Sequence, residues 1–137
     1  MKEFQQNEMF VSYELATRLK EKGFDIPCIR LKNNISNIEE EKNWYNWNDV
    51  DMFVSIPLYQ QVVDWLDLKG YNISIKPEYY YEGINWNWQI FWYLPQEEWT
   101  EFLVNDGTMM YGDNGEYNTR LEATIAAIEK ALELIKL

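Results

Sequence analysis

Leu121, Ile125, Ile128, Leu132 and Ile135 recur at alternating steps of four and three, which at about 100° per residue places all five in one narrow arc of a helix. Glu122, Lys130 and Glu133 fall on the opposite arc. Thr119-Arg120-Leu121-Glu122 reads as a capping box, so the predicted helix has a defined start. Burying five such side chains contributes roughly 1.5–3 kcal/mol each as an upper bound, so the helix needs an apolar partner surface elsewhere in the chain. Thr124, Ala127 and Ala131 on one flank are small and leave room for bulky partners to lean in.

The same periodicity predicts two earlier helices. Ser12 is a natural N-cap for a first helix carrying Leu15, Ala16 and Leu19, with Gly23 in the left-handed position after its end and Phe24 folding back on Leu19. A second helix starts near Pro57 and carries Leu58, Tyr59, Val62, Val63, Trp65 and Leu66, closing at Lys69-Gly70-Tyr71. Short strands are predicted over 27–31 and 51–55, with a surface loop over 32–49 between them. Tyr71, Ile73 and Ile75 alternate with polar residues, Pro77 interrupts, and Tyr79 to Tyr81 continue as an edge segment. After a turn at Glu82-Gly83, residues Ile84 to Leu94 give the longest strand pattern, with Trp86, Trp88 and Trp92 on its even face. Pro95 to Leu103 fits a helix or a strand, and turn signals at Asn105-Asp106-Gly107 and Asp113-Asn114-Gly115 bracket Thr108 to Tyr111. This order predicts an α+β fold: a two-layer, single domain over 1–137, with a three- to five-stranded mainly antiparallel sheet and helices packed on one face.

Composition narrows the chemistry. The net charge of −11, with no run of Lys or Arg, argues against a nucleic-acid footprint. A single Cys rules out an intrachain disulfide and suits a reducing compartment, while the lack of an apolar leader or an 18-residue apolar run predicts a cytoplasmic protein with no membrane contact. The absence of His removes every His-dependent triad. Carboxylates lie close at Asp64/Asp67, Glu97/Glu98/Glu101 and Asp113/Glu116, but the first pair sits on the wet face of its helix. Asp113-Asn114-Gly115-Glu116 fails as a calcium loop, because Met110 and Gly112 stand where carboxylates are required. Cys28 has no His to activate it and reads as a packing residue. No catalytic residue, cofactor or metal site is therefore expected, and no enzyme.

The unusual feature is a 17% aromatic content arranged in Asn/Trp alternations at 43–48 and 85–88. Aromatic faces flanked by amides suit a partner-binding or sugar-stacking surface. The odd face of the long strand also turns apolar at Phe91 and Tyr93, so the segment bearing Trp44, Tyr45 and Trp47 either covers them or joins them in one exposed patch. Trp44, Tyr45, Trp47, Phe91 and Tyr93 are the candidate interaction surface.

Residues Ser12 to Ala16 and Lys20 to Cys28, then Pro57 to Leu66, then Tyr117 with the helix Thr119 to Ile135, resemble a family of short uncharacterised proteins of gut-anaerobe genomes, prophages and other mobile elements. The resemblance implies an accessory protein of a phage or mobile element and carries no assigned activity. Together with the composition, it makes a protein partner or self-association the leading expectation. An acidic decoy imitating nucleic acid, or a small-ligand or sugar site on exposed Trp, are the alternatives.

Overall fold

The computed structural model describes residues 9–93, 108–112 and 117–135. The fold is α+β: the described residues form three α-helices and two three-stranded antiparallel sheets. The chain divides into two compact units, the first ending at Trp65 and the second starting at Leu66. The segment 95–103 and both predicted turns around 105–107 and 113–115 lie outside the described residues.

In the first unit, Ser12 caps helix α1 (Tyr13–Glu21), its hydroxyl accepting from the Leu15 N–H at 3.2 Å. The helix stops as the sequence predicts. Gly23 takes φ 89°, and the N–H groups of Gly23 and Phe24 donate to the carbonyls of Lys20 and Leu19, both at 3.0 Å. Strands β1 (Cys28–Asn33), β2 (Glu39–Tyr45) and β3 (Phe53–Ser55) pair antiparallel in the order β2-β1-β3. The predicted loop over 32–49 is therefore mostly a hairpin. Asn33 builds its turn, since its side-chain oxygen accepts from the N–H groups of Ile35 and Ser36 and Asn37 adopts φ 61°. Every residue of β2 is exposed on both faces, so it carries no alternation that a pattern search could detect. Helix α2 (Tyr59–Leu68) follows, with the Leu58 N–H donating to Gln61 Oε1 at 2.9 Å, the reach-back half of a capping box. Leu15, Ala16, Leu19, Phe24, Cys28, Leu31, Val54, Ile56, Val62 and Trp65 are buried, and Phe24 meets Trp65 edge-on at 5.3 Å.

In the second unit, β4 (Tyr71–Tyr80), β5 (Gly83–Tyr93) and β6 (Thr108–Gly112) form a sheet in that order, with α3 (Arg120–Leu134) packed on β4 and β5. Strand β4 runs straight through Pro77. Its partner Trp86 exchanges hydrogen bonds with Tyr117 on the other side of β5, so the Pro77 nitrogen faces away from β5 and no bond of that ladder is lost. The capping box of α3 forms with a shift of one residue: Thr119 Oγ1 accepts from the Glu122 N–H, while Glu122 Oε2 accepts from the N–H of Asn118. The buried face of α3 is also turned from the predicted stripe. Ile128, Leu132 and Ile135 are buried, but Leu121 and Ile125 are only part-buried, while Ala123, Ala127 and Ala131 are fully covered. Small residues let the helix axis approach the sheet more closely on that flank than the large side chains allow. The Tyr71 hydroxyl donates to the carbonyl of Leu134 at 3.2 Å and ties the first strand to the helix end.

Candidate interaction surface

The aromatic end of β2 is anchored from below. Trp47 lies in a short 3-10 turn, Trp47–Asp49, donates its indole N–H to the Cys28 carbonyl at 2.9 Å, and stands edge-on to Phe53 at 5.9 Å and to Tyr45 at 5.0 Å. It is half-buried, a support more than a contact surface. Trp44 and Tyr45 just before it remain 59% and 47% exposed. The amides around them are structural. Asn46 accepts from the Asn48 N–H and donates to Asp49 at 3.2 Å. Asn48 donates to the carbonyl of Phe24 and accepts from the N–H of Ser55, both at 2.9 Å. Lys20 adds a third clamp, its ammonium donating to the carbonyls of Val50, Asp51 and Phe53 at 3.2, 3.3 and 2.6 Å. These bonds fix the backbone around Trp44 and Tyr45 without engaging either side chain.

Charge lines the rest of β2. Arg30 Nη2 bonds Glu41 Oε1 at 2.8 Å while its guanidinium lies 3.8 Å from the centre of the Phe10 ring. Lys42 pairs with Glu40 at 3.3 Å and sits 5.9 and 5.6 Å from the ring centres of Trp47 and Phe53. Cys28, beneath Trp47, is fully buried with its thiol donating to the Ile26 carbonyl at 3.3 Å, and burial pushes its pKa up to about 12, tempered by the neighbouring Ser55 side chain. That thiol is inert packing, as its sequence context suggests.

Of the five candidate residues, the structure brings Trp44, Tyr45 and Trp47 together in the first unit. Phe91 and Tyr93 belong to β5 of the second unit, where Phe91 is part-buried opposite Asn72 and Met110; the Tyr93 side chain lies outside the described residues. The second unit also exposes aromatics that the pattern analysis did not single out. Tyr79, Tyr80, Tyr81 and Ile84 project at the β4–β5 tip, and Tyr80 to Asn85 with Asn118 line an open hollow there. The Tyr80 hydroxyl donates to Glu78 at 2.6 Å, which raises its pKa, and Glu78 also accepts from the buried Asn87 amide. The run Tyr79-Tyr80-Tyr81 was the available signal, because consecutive residues of a strand cannot all face one core.

Among the described residues no three His, Cys, Asp or Glu side chains converge as a metal site, and no helix is long and apolar enough to cross a membrane. Comparison of the chain with known protein families, curated proteins and solved structures finds no match.

Proposed function

We propose that this protein is a cytoplasmic accessory factor of a phage or mobile element that acts by binding another protein, not by catalysis, through the aromatic end of β2. The observation that carries this reading is the pair Trp44 and Tyr45, held about half exposed on a strand whose base is fixed by Trp47 and Asn48. Rigid, exposed aromatics bind at low entropic cost, because the ordering is complete before the partner arrives. A monomeric fold gains nothing from leaving a Trp and a Tyr about half exposed at one strand end. The acidic-decoy reading has less support: Glu39 to Glu41 are met by Lys42, Arg30 and Lys32 on the same sheet and do not form an unbroken anionic stripe.

The test is parallel affinity capture from the producing organism with wild type, a Trp44→Ala/Tyr45→Ala variant and a Leu68→Ala surface control. A discrete protein retained by wild type and control and lost by the aromatic variant is the expected result. Identical captured sets from all three would overturn the reading.

A further inference from the structure

Strand β2 exposes all seven of its side chains, so apolar burial contributes little to keeping it extended; its ladder to β1 holds it. Among the described residues no strand pairs with its outer edge. The Ile56 N–H donates to the Arg30 carbonyl at 2.8 Å and the Asn34 N–H to the Met52 carbonyl at 2.9 Å, so Arg30 and Lys32 direct their backbone groups toward β3. The residues opposite them, Glu41 and Glu39, therefore direct their N–H and C=O groups away from β1. Glu40 faces inward, in step with the bond from the Asn33 N–H to the Ile38 carbonyl at 2.9 Å. Four backbone groups on alternate residues form a template for one added strand.

We propose that the partner supplies an extended, basic segment that adds to the sheet as an antiparallel strand beside β2. This rests on the interaction reading above and names its chemistry. Opposite Glu39, Glu40 and Glu41 the incoming strand carries cationic side chains; opposite Lys42 it carries an acid, and opposite Trp44 and Tyr45 apolar residues. Charge decides against a second copy of this chain as the occupant. Two-fold antiparallel pairing that uses the outward groups of Glu39 and Glu41 is centred on residue 39, 40, 41 or 42. The first three registers set at least one glutamate directly against another, and the fourth sets Lys42 against its own copy. In the added ladder Glu41 and Glu39 lie between Arg30 and Lys32 of β1 on one side and the cations of the new strand on the other, so the carboxylates that disfavour a second copy accept a basic strand.

The probe is a capped heptapeptide reading Trp-Val-Thr-Glu-Lys-Lys-Lys from its amino end, with a control in which Lys and Glu are exchanged, each titrated into the intact protein while amide exchange is followed residue by residue. The basic peptide is expected to slow exchange at Glu39 and Glu41 by at least about tenfold, and the charge-exchanged control to leave both unchanged. Glu41→Pro removes one outward N–H without touching the β1 ladder and should abolish the effect; Glu41→Gln should weaken it only in part. Binding that leaves the Glu39 and Glu41 amides unprotected, no binding, or protection that grows with protein concentration alone would each overturn the proposal. If the aromatic variant loses its captured protein while no strand adds at β2, the interaction reading stands and this inference falls. If capture is indifferent to Trp44 and Tyr45, the reading itself fails.

Discussion

Asn48→Ala should be among the most costly polar substitutions in the first unit. The wild-type amide donates to the Phe24 carbonyl and accepts from the Ser55 N–H, both at 2.9 Å, and so links the chain just after α1 to strand β3. Phe24 and Ser55 are almost completely buried, so water does not readily replace the missing groups. Each orphaned backbone group costs about 1–3 kcal/mol, and with partial relaxation the expected total is about 2–4 kcal/mol. Asn48→Asp keeps the acceptor for Ser55 but sets a carboxylate against the Phe24 carbonyl, so it should be destabilising above its own pKa and partly relieved when protonated. Urea unfolding followed by tryptophan fluorescence and by far-ultraviolet dichroism measures both, with the midpoint falling and the slope unchanged. A loss below about 0.5 kcal/mol for Asn48→Ala would refute the reasoning, since it would place the site within the range of an ordinary surface position.

Two further outcomes are expected. Ala131→Leu forces a large side chain onto the buried alanine flank of α3 and should cost about 1–3 kcal/mol by denaturant titration, against less than about 0.5 kcal/mol for the exposed Glu133→Leu. Cys28 should resist alkylation in the native protein at pH 8 and react once unfolded; because its folded pKa is raised, to about 12 from 9.0, the stability that the neutral thiol contributes is complete below pH 9 and is lost as pH rises from there toward 12.

The helices were readable from sequence because caps and apolar spacing act locally: Ser12, Gly23, Gly70 and Thr119 take up the roles their chemistry predicts. The long hairpin was readable because the period of two over Tyr71 to Ile75 and Ile84 to Trp92 matches a pleated strand and would scatter apolar side chains around a helix. Strand β2 was not, because a strand with two wet faces differs from a loop only in its hydrogen bonds to β1, and those are non-local. The same holds for the bond from Asn48 to Phe24 and for the three from Lys20, whose partners lie 24 to 33 residues away and leave no trace in spacing. Trp44 and Trp47 look alike in sequence, yet one faces water and the other donates to Cys28. The difference is set by the 3-10 turn between β2 and β3.

The central claim is that the Trp44–Tyr45 end of β2 is where a partner binds. Its most direct test is photo-cross-linking in the producing cells, with a benzoylphenylalanine placed at position 44 in one protein and at position 81, the fully exposed hairpin tip, in another. One discrete adduct from position 44, absent from position 81, is the predicted result. No discrete adduct from position 44, or the same adducts from both positions, would contradict it.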